Sequence, residues 1–172
     1  MIIKKQATDA NLQGINEFIN GSKPFADVLD DYAKVYADVV NSNKKIWSWR
    51  EDILGGDKLT YGQKKLIKEK SISEGYLPNV QVQKIEGMKY GFANFKSEGL
   101  VKYEVDLPEA MWKLSDERQF SWLDKQIGGT VEGYTWHHTE IPGKMQLVPS
   151  GVHDIITHNG GRTTGMWADA PR

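Results

Sequence analysis

The sequence predicts an α+β fold, with N-terminal helices, a small antiparallel sheet region and a C-terminal strand–strand–helix unit. Three observations carry that prediction. Apolar residues recur every three or four positions between Phe25 and Val40. Short β-branched and aromatic runs alternate with glycine turns between Leu77 and Val105. All four histidines fall in one window, Gly133 to Gly161, that reads as two strands and a helix.

Taken in order, Leu12, Ile15, Phe18 and Ile19 form the apolar stripe of a short helix ending near Asn20-Gly21. Phe25, Val28, Leu29, Tyr32, Val35, Tyr36 and Val39 mark a second helix. Its pattern runs on through Ile46, Trp47 and Trp49 to Ile53 and Leu54, until Gly55-Gly56 breaks it. Thr60 with Gln63 is a capping box opening a helix that Gly75 closes. Strands follow around Val80 to Ile85, Tyr90 to Phe95 and Leu100 to Val105, with turns at Glu86-Gly87 and Glu98-Gly99. Ser115 and the stretch Arg118 to Ile127 make a helix stopped by Gly128-Gly129. Thr130 to His137 is a strand, Glu140 to Gly143 a turn, and Lys144 to Val148 its partner strand. Pro149 ends that strand, and Ser150 caps a helix expected to run from about Gly151 to Gly160-Gly161.

Composition excludes several classes. With 39% hydrophobic and 26% charged residues the chain is too apolar to be disordered. It has no cysteine, so disulfide frameworks and thiolate zinc sites are excluded. No apolar run reaches the roughly 20 residues of a membrane span. The start MIIKKQATD has no hydrophobic signal core, so any export signal is expected to lie elsewhere. A net charge of −1 is unlike a general nucleic-acid binder. The positive charge is concentrated between Lys44 and Lys70, where eight Lys and Arg face four acids, and Lys64, Lys65 and Lys68 are the phosphate-binding candidates. A solvated helix face is the plainer reading of those lysines.

His137, His138, His153 and His158 are the chemical residues. Neutral imidazole binds transition metals and titrates near neutrality, so a cluster of four suggests one site. Neighbouring strand residues point to opposite faces, which separates His137 from His138 and suits two different jobs. On a helix, His153 and His158 would sit about 140° apart, so both reach one ion only if the helix unwinds near Gly160.

At these residues the chain resembles the WHH branch of the HNH, or His-Me finger, nucleases, the toxin domains of colicin-like bacteriocins and polymorphic toxins. The match reads Trp136-His137-His138, Met145 to Pro149, His153, then His158-Asn159-Gly160-Gly161, within a broader likeness from Leu59 to Arg162. The resemblance implies an N-terminal helical region over residues 1–58 and an HNH-type nuclease domain over 59–172, with the ββα-metal motif at 130–161. It implies a metal-dependent endonuclease with His138 as general base and one divalent metal ion, of the Zn, Mg, Mn or Ni class, on His137, His153 and His158. The five-residue step departs from colicin nucleases, whose helical ligands are four apart, and ranks His153 ahead of His158. Asp154, four before His158, is an alternative partner that would orient it.

Gln146, on the strand opposite the histidine pair, is the second catalytic candidate, since an acceptor on the far nitrogen would fix the tautomer of His138. An ordinary exposed strand residue is the competing reading. Glu140 reads as a turn carboxylate and Trp136 as core. The expected substrate is DNA, with RNA as the alternative, because hydrolysis by an HNH site needs no 2′-hydroxyl. The resemblance also implies a cognate immunity protein, expected on the Lys44 to Lys70 block, and a secreted or delivered toxin acting in the cytoplasm of a target bacterium. A noncatalytic module stapled by a histidine-zinc site is the reading from a different class, and a closed four-ligand sphere would favour it.

Overall fold

The computed structural model describes residues 5–170. The chain is mixed helix and sheet and divides into two compact units, Met1–Asn79 and Val80–Arg172. These units divide after Asn79, whereas the sequence reading set the boundary at 58/59. The helix that follows it packs with the N-terminal helices, so it belongs to the first unit.

That unit is helical. α1 (Asp9–Ile19) starts at Thr8, which forms a capping box with Asn11. α2 (Leu29–Asn41) buries Tyr32, Ala33, Val35, Tyr36, Ala37 and Val40, the face given by the three-four spacing. The helix does not continue to Leu54 as its apolar pattern suggested. The chain leaves it at Asn43, whose φ of 55° is left-handed, a conformation asparagine tolerates better than most residues. Trp47 and Trp49 are apolar because they pack around Tyr36, with ring centroids 5.7 and 5.1 Å away, and periodicity alone could not distinguish that from a longer helix. A four-residue α3 (Trp49–Asp52) follows Ser48, whose side chain caps it. α4 (Tyr61–Ser73) opens with the Thr60–Gln63 capping box, and its buried Ser71 hydroxyl donates to the carbonyl of Ala33 in α2, at 2.7 Å.

The second unit carries two antiparallel sheets. β1 (Gln81–Gln83) pairs with β2 (Phe92–Asn94). β3 (Tyr103–Asp106), β4 (Tyr134–His138) and β5 (Lys144–Pro149) form a second sheet in the order β3-β5-β4. Between β3 and β4 runs α5 (Asp116–Gln126), capped by Ser115. Its Leu123 packs with Leu107, Trp136, Met145, Leu147, Trp167 and Ala168 in the core of the unit. Trp136 is core as expected, 3% exposed, and its indole N–H donates to Asp124 on α5 at 2.8 Å.

α6 (Ser150–Ile155) closes the strand–strand–helix unit, and two expectations about it change. Pro149, not Ser150, is the N-cap, and Ser150 is already helical, its N–H donating to Gly133 O at 2.9 Å. The helix lasts six residues and ends at Ile156, which is extended (φ −92°, ψ 111°), so His158 lies beyond it. No helix among the described residues is long and apolar enough to cross a membrane.

Candidate active site

The β4–β5 hairpin places the histidine pair. In its register His137 faces Gln146 and His138 faces Met145, so the two rings leave the sheet on opposite sides. His138 joins the side that packs on α5. His137 joins the side covered by α6 and the segment after it.

Early termination of α6 brings His158 round. The chain after Ile156 is pinned by Asn159, whose side-chain oxygen accepts from the N–H groups of Tyr90 (2.9 Å) and Gly91 (2.8 Å), and whose own N–H donates to Gly91 O (2.6 Å). Gly161 N–H then donates to His138 O at 3.0 Å. Gly160 sits so close to that carbonyl that an added Cβ would collide with it. Gly160→Ala should therefore push this segment off β4, and we expect weaker divalent-cation uptake with a smaller effect on the melting transition, measured by calorimetric titration beside thermal denaturation. Uptake equal to that of the parent protein would contradict this account of the glycine.

His137, His153 and His158 thus converge, with one ring nitrogen of each within 4.8 Å of the others. The five-residue spacing is no obstacle, because the two later histidines do not share a helix. The buried ring of Phe95 packs against all three, at centroid distances of 4.9, 5.7 and 5.6 Å.

The donor chemistry of the trio fits a cation. His158 Nδ1 lies 2.6 Å from Ile156 O and so carries the ring proton, which leaves the lone pair on Nε2, and that atom faces His137 Nδ1 at 3.3 Å. Burial, then the neighbouring His153, lowers the His137 pKa to about 2. Burial, then His158, lowers that of His153 to about 4, and burial lowers that of His158. Three neutral imidazoles turned toward one point are what a divalent ion of the zinc or nickel class needs, and no fourth His, Cys, Asp or Glu joins the group among the described residues.

The trio opens on a cleft of about 470 Å³ that His138, Asp116, Asp154 and Arg162 also line. Both kinds of histidine therefore face one space. Asp154 does not orient His158, whose Nδ1 is held by the Ile156 carbonyl. Its carboxylate lies 3.7 Å from His153 Nδ1 instead.

Gln146 does not hold His138. It shares a sheet face with His137 and its side chain donates to Glu104 Oε2 at 2.8 Å, on the side of a second cleft that the histidine trio does not line. The acceptor at His138 Nε2 is Gln119 Oε1, 2.8 Å away on α5. Periodicity held one signal for it, a glutamine four residues before Leu123 on the buried side of α5, where a polar group needs partners. Arg162, next to the His-Asn-Gly-Gly run, is the other residue missed. It donates to Asp116 Oδ1 from Nε (2.9 Å) and Nη2 (2.7 Å).

Lys64, Lys65 and Lys68 lie on α4 in the N-terminal unit and are not part of the unit that holds the histidines. Lys65 is exposed, Lys64 rests over the Trp49 ring at 5.8 Å, and burial lowers the pKa of Lys68. Glu140 is exposed in the β4–β5 turn, as read, and does not join the trio.

Residues 124–168 match the model of a family described as a nuclease of the HNH/ENDO VII superfamily with conserved WHH, and Trp136-His137-His138 is that triplet. No curated protein and no solved structure matches the chain.

Proposed function

We propose that the protein is a metal-dependent endonuclease that hydrolyses DNA phosphodiesters, on the premise that residues 124–168, which match the WHH nuclease family of the HNH/ENDO VII superfamily, are its nuclease domain. The observation that carries the proposal is the shared cleft: three neutral imidazoles converge on one side and His138, leaving the sheet on the other, reaches the same space.

In this reading His137, His153 and His158 would hold a divalent ion, which would supply positive charge to offset the negative charge that develops during phosphodiester hydrolysis. His138 takes a proton from the attacking water, and its burial against α5 keeps the ring from swinging out of the cleft. Phe95 backs the three ligand rings and limits their rotation. A trio that no fourth His, Cys, Asp or Glu joins among the described residues supports catalysis over a structural staple, since a structural zinc site is usually closed by four protein ligands.

DNA is favoured over RNA because water is the nucleophile and no neighbouring hydroxyl is required. Lys64, Lys65 and Lys68, which do not belong to the histidine site, are proposed to meet backbone phosphates. The resemblance to colicin-like toxins supports a delivered toxin acting in a bacterial cytoplasm, with an immunity protein covering the Lys44 to Lys70 block.

Incubation with supercoiled plasmid and with total RNA, each with and without a chelator, tests the central claim. We expect nicking and linearisation of the plasmid, suppression by chelator and recovery on adding divalent metal. Cleavage that persists through exhaustive chelation would remove the metal from the mechanism, and digestion of RNA alone would transfer the activity to the alternative substrate.

A further inference from the structure

Gln119 lies outside the segment that matches the nuclease family, yet it is fully buried beside the proposed base. Its Nε2 donates to the carbonyls of Met111 and Trp112, each at 2.9 Å, so both amide hydrogens have acceptors. Oε1 turns the other way and lies 2.8 Å from His138 Nε2 and 3.0 Å from Arg162 Nη2.

The orientation of this amide follows from chemistry. Rotating it by half a turn would set its oxygen against two carbonyl oxygens and its NH2 against a guanidinium, which has no acceptor. Arg162 is itself held, by Asp116 and by the carbonyls of Leu114 (2.7 Å) and Ala168 (2.8 Å). An arginine lining a nuclease cleft invites assignment as a phosphate clamp. Here its hydrogen bonds commit it to bracing Gln119.

An acceptor oxygen at 2.8 Å from Nε2 requires that nitrogen to bear a hydrogen, and a neutral imidazole has only one. We propose that Gln119 is a positioning residue that holds the ring proton of His138 on Nε2, so that the lone pair on Nδ1 is the one that receives the proton of the attacking water. This rests on the reading of His138 as general base. The water gives one proton to Nδ1, which leaves the ring an imidazolium with both nitrogens protonated; the hydroxide bonds to phosphorus as the bond from phosphorus to the leaving sugar oxygen breaks, that oxygen takes a proton from solvent, and the imidazolium returns its Nδ1 proton to solvent. Oε1 of Gln119 accepts a hydrogen bond from the imidazolium as well as from the neutral ring, so the amide need not move during turnover.

The test begins with the wild-type protein, metal-free and labelled with 15N at histidine. Protonated and bare ring nitrogens of neutral imidazole resonate far apart, and His138 is assigned by the signal lost in His138→Ala. The expected spectrum shows one tautomer, with Nε2 protonated and Nδ1 bare. A protonated Nδ1, or a mixture of tautomers, overturns the proposal whether or not any variant folds.

The second arm is Gln119→Met, similar in length and without an acceptor oxygen. His138 should then populate both tautomers, and kcat should fall by roughly 100-fold. That lies between a twofold dilution of the competent tautomer and the about 10⁴-fold loss known where a neighbouring group enforces the wrong one. KM for plasmid and metal uptake by the trio should not change. A Gln119→Met protein with the wild-type spectrum and rate would refute the assignment. Failure of the base reading is recognised separately: His138→Ala would still cleave DNA, whatever tautomer the wild-type ring adopts.

Discussion

Replacing His138 with alanine is expected to lower kcat on plasmid DNA by about 10²- to 10⁴-fold, the usual contribution of a positioned acid–base group. KM should stay close to that of the parent, because in the proposed mechanism the ring acts on the water and not on the bound strand. Metal uptake should be unchanged, since His138 leaves β4 on the opposite side from His137 and does not belong to the converging trio. The ring is 9% exposed, so its removal also costs packing against Phe120 and Trp167. Circular dichroism and the melting midpoint separate that loss from the chemical one. A folded His138→Ala protein that cuts DNA at the wild-type rate would eliminate this residue as the base.

The trio makes the second large effect. His153→Ala is its most informative substitution, because His153 lies in the last turn of α6 and keeps a quarter of its side chain exposed, whereas His137 is 2% exposed. Removing one of the three proposed ligands should weaken divalent-ion binding by more than about 100-fold, since changes to groups that only support metal ligands already cost about 10- to 100-fold. Activity should fall with it at limiting metal and recover in part when metal is raised. A cation present at about 100 times its Kd stabilises the folded state by about 2.7 kcal/mol. Adding metal should therefore raise the melting temperature of the parent by several degrees and leave His153→Ala almost unmoved. Equal metal-induced shifts in the two proteins would show that the ion binds elsewhere.

The two substitutions have opposite signatures. One leaves metal binding intact and stops turnover, whereas the other loses the ion and loses turnover as a consequence. A noncatalytic zinc staple predicts a different pair, in which His153→Ala destabilises the unit and His138→Ala changes nothing that can be measured with DNA.

How far the sequence alone reaches can be judged residue by residue. The α+β class, the caps at Thr60 and Ser115, the β4–β5 hairpin and the divergence of His137 from His138 all follow from local rules. Those rules are apolar period, side chains that bond the nearest free N–H groups, and the alternation of a strand. The Trp-His-His triplet and the histidines after it were equally legible, because they sit within one short stretch.

Other features depended on partners far along the chain. Helix α2 stops where Asn43 turns left-handed, although Trp47 and Trp49 continue its apolar pattern, because those rings fold back onto Tyr36. His158 joins the trio because Asn159 is fastened to Gly91, 68 residues earlier, and pulls the chain away from a helical course. Gln146 looked like the partner of His138 from strand proximity, yet its register places it on the other face. The atom that holds His138 comes from Gln119, 19 residues upstream. Period and spacing describe what neighbouring residues can do, and they determined the fold class of this protein and singled out its four histidines. Which nitrogen meets which oxygen is a matter of packing between separate elements, and only the tertiary structure decided it.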